Sequence, residues 1–141
     1  MVSKIRDWEA ALVDVETDLQ RQCWKSGEHD CAQVSFAVVK AVTGIDLSGS
    51  FVYETEGEAR NLIVSGGGLL FQASRVADLL GWKKTDRDHL HRGDPILVRV
   101  DGTAALGFVS SCGRPMVATQ QGLVFITLKQ VVCGWAIPCH K

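Results

Sequence analysis

No run of about 18 apolar residues occurs anywhere in the 141-residue chain, so a membrane-spanning helix is not expected. Neither sign of charge dominates: 15 Lys and Arg stand against 16 Asp and Glu, for a formal charge of -1. Proteins that hold nucleic acid through its phosphates carry a basic excess or a basic stripe, and the cations here are scattered, so nucleic acid is not an expected partner. The opening residues Met1 to Asp7 lack the apolar core of a signal peptide, which points to synthesis and folding in a cytoplasm. The cysteines also lack the even count of a disulfide framework: Cys23, Cys31, Cys112, Cys133 and Cys139 are five, and most are expected to be reduced. Their spacings, C-x7-C and C-x5-C with His140 beyond, match no standard zinc or iron–sulfur pattern, so neither a metal nor a cofactor is expected.

What is present is a core-forming composition. With 46% hydrophobic residues, the length fits one compact domain spanning 1–141. Ile5, Trp8, Leu12, Val15, Leu19 and Cys23 recur at three- and four-residue intervals, which predicts an amphipathic first helix. A second, mostly buried helix is predicted from Cys31 to Val42, with Gly44 as its C-cap. Thr55 to Glu58 reads as the capped start of a third helix through Val64, and Gly66-Gly67-Gly68 interrupts the chain. A fourth helix is predicted over Leu69 to Leu80, stopping at Gly81.

From Trp82 onward the pattern changes to short apolar runs between turn signals. Strands are predicted at 95–100, 103–110, 115–118, 123–127 and 133–137, with one helical turn at 128–131. Asp101-Gly102 between two such runs is a type I′ hairpin signal. Helices followed by strands indicate an α+β fold, N-terminal helices packed on a C-terminal antiparallel meander.

The residues that carry chemistry lie in the helical half. Asp30 is a good N-cap, and Gln33 three residues later supplies the D-x-x-Q form of a capping box, which sets Cys31 at the first helical position. The positive end of the helix dipole favours a thiolate there, whereas the neighbouring Asp30 carboxylate opposes it. The same residue also reads simply as a small side chain where the helix enters the core. A nucleophilic cysteine needs a base within hydrogen-bond reach. His29, His89, His91 and His140 are the candidates; His89 and His91 flank Leu90 and should point to one side.

Gly27-Glu28-His29-Asp30-Cys31-Ala32 before an apolar helix, then Gly66-Gly67-Gly68-Leu69-Leu70, then Arg92-Gly93-Asp94-Pro95 leading into a hairpin, followed by Ala105-Leu106-Gly107, Gly122-Leu123-Val124 and Gly134-Trp135, form an ordered series. The series resembles the NlpC-type papain-like cysteine peptidases, and most closely the small NlpC-like proteins of tailed phages and prophages. The resemblance runs from about Trp24 to Ile137. It implies a papain-like fold with a half-barrel sheet and Cys31 in the nucleophile's place. It also implies a catalytic His at the start of the strand after the Gly-Asp strand, where this chain has Ala105. The family's third, polar residue falls near Ala118-Thr119, with Thr119 or Gln120 as the nearest candidates.

Two functions follow from the resemblance. One is a tail-tip or tail-assembly component of a phage virion, made in the bacterial host cytoplasm, acting through contacts with other tail proteins and keeping a degenerate active site. The other is an active cysteine hydrolase that cuts peptidoglycan during DNA entry, with Cys31 as nucleophile and His89 or His91 recruited as the catalytic base. The tripeptide Arg92-Gly93-Asp94 matches an adhesion motif by chance and reads better as the turn before a strand.

Overall fold

A computed structural model describes residues 2–25, 30–47 and 68–139. In chain order these form α1 (Trp8–Gln20), α2 (Cys31–Thr43), α3 (Leu69–Leu80), β1 (Lys83–Thr85), a 3-10 turn (Arg87–His89), β2 (Pro95–Val100), β3 (Thr103–Val109), β4 (Pro115–Thr119), β5 (Gly122–Phe125), a second 3-10 turn (Leu128–Gln130) and β6 (Val131–Ala136). The architecture is α+β: helices first, then one six-stranded antiparallel sheet. The helix expected from Thr55 to Val64 lies outside the described residues.

The helices form where the local code is strongest. Asp30 caps α2, its carboxylate accepting the Gln33 N–H at 2.9 Å, and Gly44 closes the helix in the left-handed conformation at φ 84°. Val34, Val38, Val39 and Val42 of α2 are buried against Leu12 and Leu19 of α1 and against the sheet. Each such side chain contributes roughly 1.5 kcal/mol or more through the apolar surface it removes from water.

The first helix starts later than its apolar spacing predicts. Residues 2–5 run ahead of it as a backbone-bonded segment: the N–H groups of Val2, Lys4 and Ile5 donate to the carbonyls of Leu80, Pro138 and Val42. That geometry turns Lys4 inward and leaves Ile5 exposed, while Cys23, beyond the helix end, is exposed as well. The fourth predicted helix, α3, has the expected bounds, but only Ala77 of it is buried and Leu79 is 84% exposed.

The sheet order is β1-β6-β2-β3-β4-β5, which is not a simple meander. β6 inserts between β1 and β2, pairing Trp135 with Lys84 and Cys133 with Leu97. β1 went unpredicted because three residues of Lys and Thr carry no apolar alternation, and β6 begins two residues early because Val131 pairs with Val98. The Asp101-Gly102 hairpin is as expected, with φ of 50° and 78° at its two central residues.

Alternation along the strands creates two apolar clusters. Leu97, Phe108, Met116, Ala118, Cys133 and Trp135 join the helices in one; Ile96, Val98, Val109, Val117 and Val131 form the other. β3 and β4 are paired only at Phe108 with Met116 and Val109 with Pro115, after which the strands separate. Gly107 stands at this fork, where a Cβ would collide with the Met116 carbonyl oxygen.

Candidate functional site

The body of α2 packs into the helix-side cluster, yet its first residue, Cys31, packs against the second one, together with Ala105, Leu90 and Val124. The fork between β3 and β4 accounts for the reach. Below it, Ser35 Oγ of α2 donates to the Gly107 carbonyl at 3.2 Å, pinning the helix to β3. One turn earlier the half-buried Cys31 thiol receives the backbone N–H of Leu106.

The sequence places Cys31 where a helix dipole favours its thiolate. In the structure the opposite effect wins. Burial is the largest influence and pushes the thiol above its ordinary value, and the Asp30 charge adds to that; the N–H groups of Leu106, Ala32 and Cys31 itself pull the other way without overcoming it. The group is a neutral thiol at physiological pH.

Neither predicted base hydrogen-bonds this thiol. His89 lies on the first 3-10 turn, 75% exposed, with its ring Nδ1 2.7 Å from the Asp86 carboxylate, which holds the imidazole above its usual value. His91 is also exposed, and its backbone N–H donates to Asp94 Oδ2 at 2.9 Å. Leu90, between them, packs inward over Gly134, while both histidines are exposed. His29 and His140 lie outside the described residues. The place the resemblance gives to the base holds the methyl group of Ala105, next to the Leu106 that bonds the thiol. Thr119, suggested as the third residue, uses its hydroxyl to donate to the Gly122 carbonyl across the β4–β5 turn.

Sequence reasoning missed a buried polar anchor. Lys4 and Asp94 are each 1% exposed and form an ion pair at 3.3 Å. Lys4 Nζ also donates to the Arg92 carbonyl at 2.7 Å and lies 4.4 Å from the Trp8 ring centre. Asp94 accepts the N–H groups of His91 and Ile137. Burial raises the Asp94 carboxyl above its usual range despite the opposing pull of Lys4 and those N–H groups. Asp94 of the Arg-Gly-Asp tripeptide is therefore an internal brace and presents no carboxylate to an adhesion partner. The Gly-Asp before a strand is a legible signal for it; nothing in the local pattern marks Lys4.

A second cysteine also went unmarked. Cys112 sits exposed in the turn between β3 and β4, its Sγ 3.1 Å from Ser110 Oγ. That hydroxyl, then the Arg114 N–H and the Arg114 charge, lower the thiol's pKa. Glu16 of α1 fixes the turn by accepting the N–H and the hydroxyl of Ser111.

Among the described residues no three His, Cys, Asp or Glu side chains converge as a metal site, and no described helix is long and apolar enough to cross a membrane. No curated protein matches the chain. The model of the family described as a domain of unknown function, DUF6950, matches residues 3–137, and with nearly the whole length covered the chain belongs to that family.

Proposed function

We propose that this protein is a structural or assembly component of a tailed-phage virion, placed at the tail tip or hub, built on a papain-like NlpC-type scaffold with a degenerate active site. The ordered resemblance of its motifs to the phage NlpC-like proteins motivates the assignment to a tail. The observation that carries the loss of catalysis is the setting of Cys31: a neutral thiol that receives the Leu106 N–H, with Ala105 where the resemblance expects an imidazole. A thiol with no histidine bonded to it among the described residues and without thiolate character lacks both usual routes to nucleophilic activation there. The fork that delivers Cys31 to β3 then acts as an architectural joint between α2 and the sheet.

The competing reading, a peptidoglycan hydrolase, draws on the same resemblance and on the helix N-terminal position of Cys31, with a histidine from another loop as base. Virions of the encoding phage, purified and analysed by mass spectrometry, should contain the chain, and a Cys31→Ala phage should assemble tails and infect normally. Peptidoglycan cleavage by the wild-type protein that Cys31→Ala abolishes would establish the hydrolase instead.

A further inference from the structure

An open cleft of about 460 Å³ lies between the two 3-10 turns and the exposed end of β2. Its origin is a register slip. β2 and β6 shift between Leu97 and Val98, and their pairing ends at Val98 with Val131. Arg99 and Val100 therefore keep β3 on one side and have no β6 partner on the other. The two 3-10 turns border the opening, and Val132, 48% exposed, gives its lining an apolar side chain.

Three cations line the cavity, each from a different element: Arg87 from the first 3-10 turn, Arg99 from β2 and Lys129 from the second 3-10 turn. Arg87 is held in place because Nη1 donates to the carbonyls of Leu128 at 3.4 Å and Lys129 at 3.2 Å, which ties the two turns together across the mouth. Arg99 and Lys129 make no ion pair among the described residues. Two carboxylates share the lining. Asp86 is engaged by the His89 ring at 2.7 Å and by the Asp88 N–H at 3.0 Å, while the Asp88 carboxylate makes no ion pair with a cation of the lining among the described residues.

We infer that this cavity is a binding site for a phosphate monoester, with the phosphoryl group taken between Arg99, Lys129 and the remaining N–H donors of Arg87. A tetrahedral oxyanion offers separate oxygens to donors arriving from three elements, and guanidinium groups match it in bidentate fashion. A single carboxylate satisfies fewer of them. The volume exceeds what a bare phosphate needs and falls in the range of small-molecule sites, which leaves room beside Val132 for the organic part of the ester. Asp88 sets a limit on affinity and disfavours ligands with charge spread along their whole length.

Inorganic phosphate is the probe. Titrated into the ¹⁵N-labelled full chain at constant ionic strength, it should shift the amide signals of Arg99, Val100, Lys129 and Gln130 saturably, with a dissociation constant on the order of 1 mM or tighter. Acetate should bind at least several-fold more weakly, and chloride should give no saturable shift. The double substitution Arg99→Gln/Lys129→Gln, at two exposed positions, should weaken phosphate binding about tenfold or more while the other signals keep their positions. Glycerol 3-phosphate should bind at least as well as phosphate. The proposal is overturned by an absence of saturation, by an equal response to chloride or acetate, by phosphate binding that the double variant retains, or by exclusion of the ester.

Discussion

Cys31 and Cys112 occupy opposite ends of the same β3 neighbourhood and reverse what their sequence contexts suggest. Cys31 has the capped helix, the dipole and the place that the resemblance gives to a nucleophile, yet burial and Asp30 keep it a thiol. Cys112 sits in a Ser-Ser-Cys-Gly-Arg turn with no recognised motif, yet exposure, the Ser110 hydroxyl and Arg114 favour its thiolate. A helix N-terminus activates a cysteine only when desolvation does not outweigh the N–H groups it offers. Address and reactivity are separate properties.

The largest expected effect is in alkylation. At pH 7, iodoacetamide followed by peptide mapping should modify Cys112 about a hundredfold or more faster than Cys31, since the thiolate is the reacting form and only one of the two thiols is open. A faster Cys31 breaks the comparison outright. Next in size is a histidine at the place the resemblance gives to a base: Ala105→His should raise the Cys31 alkylation rate at pH 7 by about tenfold, because an imidazolium beside the thiol favours its ionisation. An unchanged rate would show that Ala105 does not hold the base position in this fold.

Stability separates the two sites less strongly. Cys31→Ala should cost about 1 kcal/mol in denaturant unfolding, for a half-buried side chain that fills the fork, whereas Cys112→Ala should stay within about 0.5 kcal/mol of wild type. Glu16→Ala removes the acceptor of two hydrogen bonds to Ser111 and should cost roughly 1–2 kcal/mol. It should also increase amide exchange at 110–114.

The smallest effect is a pH dependence. The folded-state pKa of Cys31 lies above its unfolded value of 9.0, so in the window just above 9.0 the unfolded chain releases this proton while the folded chain retains it. The stabilising contribution of Cys31 is complete below that window and is lost as pH rises through the raised value. The stability difference between wild type and Cys31→Ala should accordingly shrink above pH 9, as seen in thermal midpoints measured in parallel; a growing difference would reverse the assigned direction.

How much of this was legible depended on whether the cause was local. Asp30, Gln33 and Gly44 bracket α2 within a few residues of where they act, and Asp101-Gly102 specifies its own turn, so both were readable. The insertion of β6 between β1 and β2 joins residues such as Lys83 with Ala136 and Val98 with Val131, far apart in the chain, and no local pattern encodes it. The inward turn of Lys4 is set by backbone bonds to Val42, Leu80 and Pro138, which is why its spacing neighbours misassigned Ile5 to a helix face. For the site, the D-x-x-Q motif placed Cys31 at the first position of a capped helix, as the structure has it. It did not give the ionisation state of the thiol, which is decided by surroundings assembled from β2, β3, β4 and β6.

The brace at Asp94 has a mechanical meaning. Lys4 reaches this carboxylate from one end of the described chain, and Ile137 reaches it from the other, with the Lys4 N–H bonded to the Pro138 carbonyl at 2.7 Å. A pull applied between residues 4 and 138 would load this one cluster before any strand of the sheet began to peel. A new break at the Asp101-Gly102 turn, with residues 2 and 139 joined through a short linker, would bypass it, which makes that turn a natural site for circular permutation.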